Sequence, residues 1–179
     1  MARSGARAVL AAALVAAVSA CGGDADVPRS EFLGDLGRLE RLSDTAQYAT
    51  WKKPGADLKR YRRVLLDPIE VRAAAGVDAL DRIRTYFRQS TMLAMNESYP
   101  VADEPGRDVL RLRAAIAGLG TSRTTVETDL RDSLTGERVA AIVERPAETP
   151  PLDSWPDVEK TLDVWAKALR ARLAALGGT

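Results

Sequence analysis

The chain has 179 residues, 26 basic and 25 acidic, with one cysteine and no histidine. The missing imidazole excludes Ser-His-Asp and Cys-His catalysis and His-based zinc or iron sites, and the near-neutral balance leaves no basic footprint for nucleic acid. One cysteine cannot form an internal disulfide, so stability has to come from burial.

The first twenty residues read as a signal. Arg3 and Arg7 form a short basic region, Ala8 to Val18 an apolar run, and Ser19-Ala20 a pair of small residues before Cys21. The run has signal-peptide length and falls short of the roughly 20 apolar residues of a membrane-spanning helix. Val18-Ser19-Ala20-Cys21 resembles the lipobox of bacterial lipoproteins. The resemblance implies a diacylglycerol on the Cys21 thiol, cleavage before Cys21 and acylation of the new amine. The plainer alternative is a secreted protein cut after Ala20 with a free or buried thiol. Gly22, rather than Asp, follows the cysteine, which by the same resemblance favours the outer membrane over the inner. The domain organisation expected is 1–20 signal peptide, 21–29 lipidated N-terminus and tether, and 30–179 one periplasm-facing domain. Removing residues 1–20 takes away Arg3 and Arg7 alone, so 26 basic and 25 acidic residues become 24 and 25. The mature domain offers no polybasic stretch to add to the lipid.

Gly22 to Arg29 is small, polar and acidic, as a tether should be. Leu36, Leu39 and Leu42 are helix-spaced, with Gly34 and Gly37 weakening the helix. Residues 43–60 read as a loop whose Tyr48 and Trp51 fold onto the domain, with Lys52-Lys53-Pro54-Gly55 as a turn. An aromatic platform for sugar is the sharper alternative there. Tyr61 to Val71 has buried-strand character, and Pro68 predicts a bulge, an edge position or an end near Asp67. Asp78 to Glu97 reads as a helix with Leu80, Ile83, Phe87, Thr91 and Ala94 on one stripe, Asp78 and Asp81 near its positive end, and Asn96 and Tyr99-Pro100 closing it.

Asp108 to Leu119 is the cleanest strand. Leu110, Leu112, Ala114, Ile116 and Gly118 share one face, and Val109, Arg111, Arg113, Ala115 and Ala117 the other. The arginine face is expected to be solvated or ion-paired. A phosphate site there is disfavoured because no Gly-rich loop leads into a helix. Thr124 to Asp132 and Glu137 to Glu144 form a hairpin. Asp132 and Gly136 suit a type I turn with a glycine bulge. Asp129, Asp132 and Glu137 lie close in sequence; turn chemistry and solvated strand ends account for them more simply than calcium binding or acid–base work. In the last helix Ser154 caps with Asp157, Pro156 sits in the first turn, and Val158, Leu162, Trp165, Leu169, Leu173 and Leu176 form one stripe closed by Gly177-Gly178. That stripe is read as core rather than a coiled-coil seam.

Several segments together carry a family likeness: Ser30-Glu31-Phe32-Leu33-Gly34-Asp35, Lys53-Pro54-Gly55-Ala56-Asp57-Leu58, Tyr61-Arg62-Arg63-Val64-Leu65-Leu66-Asp67-Pro68, Asp108 to Ile116, Asp132-Ser133-Leu134-Thr135-Gly136-Glu137 and the late helix at Trp165. In this order and spacing the chain resembles a family of bacterial lipoproteins known as domain of unknown function 3313. The resemblance implies an envelope location and a single fold, and it transfers no catalytic residue.

The fold class expected is therefore α+β: a mostly antiparallel sheet with a long helix and a C-terminal helix on one face. The function expected is a non-catalytic accessory or binding lipoprotein. It would be held to the membrane by acyl chains on Cys21 and dock an envelope protein, with no cofactor, no metal and no nucleic acid. An exposed edge of the 108–144 sheet and the loop around Trp51 are the expected contact surfaces. The alternative is a carboxylate-dependent enzyme acting on envelope glycans.

Overall fold

The computed structural model describes residues 32–34, 48–73, 77–121, 124–147 and 149–177. The expected tether and the helix at Leu36 to Leu42 lie outside the described residues. The architecture is α+β. Strands β1 (Tyr48–Lys52), β2 (Arg63–Leu66), β3 (Glu70–Ala73), β4 (Val109–Leu119), β5 (Thr125–Asp132) and β6 (Arg138–Glu144) form one sheet, with helices α1 (Val77–Asn96) and α2 (Trp155–Gly177). The sheet order is β1-β6-β5-β4-β2, with β3 continuing on β4 beyond β2.

β4, β5, β6 and β1 form an antiparallel run joined by registers such as Leu112↔Leu130, Thr128↔Ile142 and Thr50↔Ile142. β2 and β3 run parallel to β4 on its other side. Parallel neighbours need a long crossover, and α1 supplies it between β3 and β4. The single strand expected over Tyr61 to Val71 is two strands. Proline cannot donate to the ladder, and the chain breaks at Asp67-Pro68. Leu66 opposes Leu112 while Glu70 opposes Ala115, so one extra residue is accommodated in the break.

The loop expected over residues 43–60 is also corrected. Tyr48–Lys52 is a strand on the outer side of β6, followed by a turn at Pro54-Gly55, where Gly55 takes φ +76°, and a short 3-10 turn at Leu58–Arg60.

Both helices cover one face of the sheet. On α1 the anticipated stripe is in place, with Phe87 and Thr91 fully buried and Ile83 nearly so. On α2, Val158, Leu162, Ala166, Leu169 and Leu173 are buried beside Trp165. They meet Val64, Leu110, Leu112, Ile116, Leu130 and Ile142 from the sheet in one core. The Phe87 and Trp165 rings meet edge to face, with centroids 6.5 Å apart at 89°, a favoured aromatic geometry. Phe87→Ala should therefore cost about 3–5 kcal/mol, read as a lowered urea midpoint at unchanged slope. Leu93→Ala, on the exposed side of α1 at 65% exposure, should stay within about 0.5 kcal/mol of the parent.

Candidate functional site

Three features outside the core could meet another molecule. The first is a recess at the end of the sheet, where the loop after β1 meets the β5–β6 turn. The Asp57 side chain accepts from the Lys59 amide and starts the 3-10 turn, which aims Arg60 and Tyr61 at Asp132. The Tyr61 hydroxyl donates to Asp132 Oδ2 at 2.9 Å, and Arg60 bonds the same oxygen. The other oxygen, Oδ1, accepts the Leu134 and Thr135 amides at 3.0 and 2.9 Å, an Asx turn. Gly136, at φ +71°, closes the loop, and Lys53 Nζ reaches Glu137 at 2.5 Å. The recess encloses about 250 Å³ and is lined by Lys53, Pro54, Asp57, Arg60, Tyr61 and Glu137. Burial pushes the Tyr61 hydroxyl up from its ordinary range, and its bond to Asp132 adds to this, so it serves as a neutral donor. Burial would also raise the Asp132 carboxyl, but the Thr135, Tyr61 and Leu134 donors outweigh it and hold it down to about 2.

The second feature is the sheet face away from the helices. Asp129 lies there fully buried. It accepts from Arg138 Nε at 2.7 Å, Arg131 Nε at 2.8 Å and Arg113 Nη1 at 3.3 Å. Burial opposes its ionisation, and the Arg138 and Arg131 hydrogen bonds overcome this, leaving its carboxyl below the ordinary range. Asp67 lies 2.9 Å from Arg111 and 3.8 Å from Arg113. Beside this charge cluster Leu33, 2% exposed, rests on Ala141 and Val143 with Phe32 and Trp51 at its sides.

The third feature is a half-open cleft of about 400 Å³ where the β6–α2 connection crosses α2, lined by Pro146, Pro150, Pro151, Lys160, Val164 and Trp165 among others. Val164, next to the core residue Trp165 on α2, is 57% exposed.

Of the acids considered together in the sequence, Asp132 and Glu137 stay together at the recess with different partners, and Asp129 lies apart on the second face. Asp129 joins the arginines, Asp132 the turn and Tyr61, and Glu137 joins Lys53. Among the described residues no group of three metal-ligating side chains occurs. Arg111 and Arg113 are ion-paired as expected. Trp51 is half-buried in the second-face cluster rather than displayed on a loop. The edges of the 108–144 strands are not open, because β1 pairs with β6 and β2 and β3 pair with β4. Cys21 lies outside the described residues. The recess was not legible as a site. Its motifs stood out in the sequence, but the contacts that join them span 71 to 84 residues.

A family of proteins of unknown function, DUF3313, matches residues 28–128. The chain belongs to the DUF3313 family. The match spans β1 to β4 and the start of β5 and stops short of the β5–β6 turn. No curated protein matches this DUF3313 chain. Among solved structures it is similar to a PelC dodecamer from Paraburkholderia phytofirmans, with 16% identity and a TM-score of 0.40 over 70% of this chain and 95% of that one. A DUF4136 family protein from Bacteroides thetaiotaomicron shows 10% identity and a TM-score of 0.41, with 75% and 98% covered. Likeness at this level bears on neither activity nor assembly.

Asp132 makes the recess acid-sensitive. Its folded pKa of about 2 lies below the ordinary 3.8, so its contribution is fully present above about pH 4 and is lost as pH falls towards 2. The shift corresponds to about 2 kcal/mol. Asp132→Asn should be less stable than the parent at neutral pH, and the difference should shrink by about that amount on acidification, read by urea denaturation at a series of pH values.

Proposed function

We propose that this chain is a lipid-anchored, periplasm-facing protein of the cell envelope, held in the outer membrane, whose folded domain docks a partner and carries out no chemistry. The observation that carries the anchor is Val18-Ser19-Ala20-Cys21 at the end of the apolar run. A single acyl chain binds a membrane only marginally, and two or more anchor stably; lipobox processing supplies the larger number. Anchoring also raises the effective concentration of the domain towards other envelope components, so a modest contact is sufficient.

The docking part is supported by the cleft beside α2. Its prolines hold an irregular backbone open, Val164 offers apolar surface, and Lys160 and Asp157 give it a polar rim. This is the composition of a shallow protein-binding groove. The glycan-enzyme reading has one observation of its own, the two carboxylates Glu144 and Asp157 in the same cleft. Glu144 is 3.4 Å from Arg172, and Asp157 accepts from Ser154 at 2.5 Å. The Arg172 guanidinium and the Ser154 hydroxyl both donate to these acids, so neither is set up as the protonated member of an acid–base pair, and docking is the simpler reading.

Cys21→Ala should abolish palmitate labelling and leave the protein unprocessed or soluble, while wild-type protein sediments with membranes and resists high-salt extraction. Wild-type protein recovered in the soluble periplasm without detergent would overturn the anchor. A photo-crosslinking residue at position 164 in intact cells should give one discrete adduct with an envelope protein. Absence of an adduct, together with turnover of envelope glycan by the purified protein, would replace docking with the enzyme reading.

A further inference from the structure

The geometry points to a phosphate-binding strip on the sheet face away from the helices, formed by Arg111, Arg131 and Arg138 and made to take a phosphomonoester. It stands independently of the lipid anchor and of the cleft beside α2.

The strip is produced by strand register. Arg111 of β4 lies opposite Arg131 of β5, and Arg131 lies opposite Arg138 of β6. Three arginines thus stand side by side across three adjacent strands, at about 4.8 Å per strand. Regular alternation would not place Arg138 there. Ala140 and Ile142 face the helices, and Arg138 has their parity. The register shifts between Leu130 and Arg131, however: Leu130 opposes Ala140 while Arg131 opposes Arg138, which leaves Val139 as the extra residue of a bulge. A bulge turns the following side chains to the other face, and Arg138 reaches Asp129 on that face at 2.7 Å.

Like charges directly opposite each other in a sheet destabilise it, so this row needs counter-charge. The protein supplies part of it. Among the described residues four guanidiniums, Arg111, Arg113, Arg131 and Arg138, meet the carboxylates Asp67 and Asp129 and share a third, Glu70, with Arg72, a surplus of between one and two positive charges. Glu70 approaches Arg113 only to 3.9 Å and pairs with Arg72 at 3.1 Å. Glu127 lies four residues along β5 from Arg131, beside Thr125, roughly 13 Å away along the strand. A phosphomonoester carries about −1.5 to −2 near neutral pH, opposite in sign to the surplus and comparable in magnitude.

Donors remain to bind it. Arg111 uses Nε alone on Asp67. Arg131 uses Nε on Asp129 and Nη1 on the Gly136 carbonyl. Arg138 uses Nε and Nη2 on Asp129. Both terminal nitrogens of Arg111, Nη2 of Arg131 and Nη1 of Arg138 have no protein acceptor among the described residues. The three side chains are 44%, 30% and 24% exposed, so the free ends are reachable while Asp129 holds two of the stems. The two terminal nitrogens of Arg111 and the single ones of Arg131 and Arg138, the last two held in place by Asp129, are charged donors of the kind that suit phosphate. The site needs no Gly-rich loop, because side chains take the place of backbone amides.

Isothermal titration of the purified full chain tests it, with inorganic phosphate and glucose 1-phosphate as ligands and gluconate as a carboxylate control. Both phosphates should bind, more weakly as salt is added, and gluconate should not. Arg111→Gln leaves all three donors to Asp129 in place and so preserves the fold. It should weaken binding about tenfold, the worth of one charge-assisted hydrogen-bonding group. Arg131→Lys and Arg138→Lys keep the charge near Asp129 but lose the terminal nitrogen that points away from it, and each should weaken binding severalfold. Arg88→Gln, on exposed α1, should leave binding unchanged. Flotation with phosphatidic acid vesicles separates the sources: comigration that Arg111→Gln abolishes assigns a lipid headgroup, and titration without comigration assigns a soluble phosphate ester. No heat with either phosphate, equal binding of gluconate, or binding unaffected by Arg111→Gln would overturn the proposal.

Discussion

The second face of the sheet is organised around one buried charge. Asp129 has no exposed surface, and an isolated carboxylate in such a place costs several kcal/mol or more. It is tolerated because Arg113 of β4, Arg131 of its own strand and Arg138 of β6 all donate to it. These donors sit on three strands, so the carboxylate is satisfied only when β4, β5 and β6 adopt the observed registers together. A one-residue slip of either neighbour would carry its arginine to the helix face and strand the charge. The bulge at Val139 is part of the same arrangement, since it brings Arg138 to the face where Asp129 needs it.

That constraint explains how the two faces differ. Towards α1 and α2 the sheet is dry and aliphatic, with Leu110, Leu112, Ile116, Leu130 and Ile142 interleaved between helix side chains. Away from them, the centre is guanidinium and carboxylate, and an apolar patch of Ala141, Val143 and Trp51 lies beneath Leu33. Phe32, next to Leu33, lies 5.1 Å from the Arg113 guanidinium, a cation–π contact joining the apolar and charged parts of the face. Phe32 and Leu33 therefore rest on the face that holds the buried charge.

Much of this could be read from the residues, and the remainder failed for identifiable reasons. Both helices were legible because a 3.6-residue stripe is a local signal, and Phe87 and Leu162 are buried where that stripe placed them. β4 and the β5–β6 hairpin were legible through alternation and through Asp132 and Gly136. β1 was not: Tyr48–Lys52 has no apolar alternation, and its strand state comes from pairing with β6 about ninety residues on. The parallel direction of β2 and β3 was also hidden, since period-2 patterning carries no information on orientation. Pro68 did signal the break, and the break is where it was expected. The face of Arg138 could not be read from its neighbours, because a bulge is invisible to parity counting.

The same accounting bears on what kind of function the molecule can host. A catalytic carboxylate needs a lone pair free for substrate and a pKa near the working pH. The acids brought near the sheet's surfaces are committed elsewhere: Asp129 to three arginines, Asp132 to a turn and a tyrosine, Glu137 to Lys53, and Asp108 to Arg63. Asp129 and Asp132 are held ionised by their donors, the opposite of what a general acid requires, whereas burial pushes the Glu127 carboxyl up, against the Thr125 hydrogen bond and the charge of Arg72. The cations are less fully committed, since Arg111, Arg131 and Arg138 keep terminal nitrogens unused. The described acids of the sheet face are thus spent largely on holding strands and turns in register, while its guanidiniums keep terminal nitrogens at the surface.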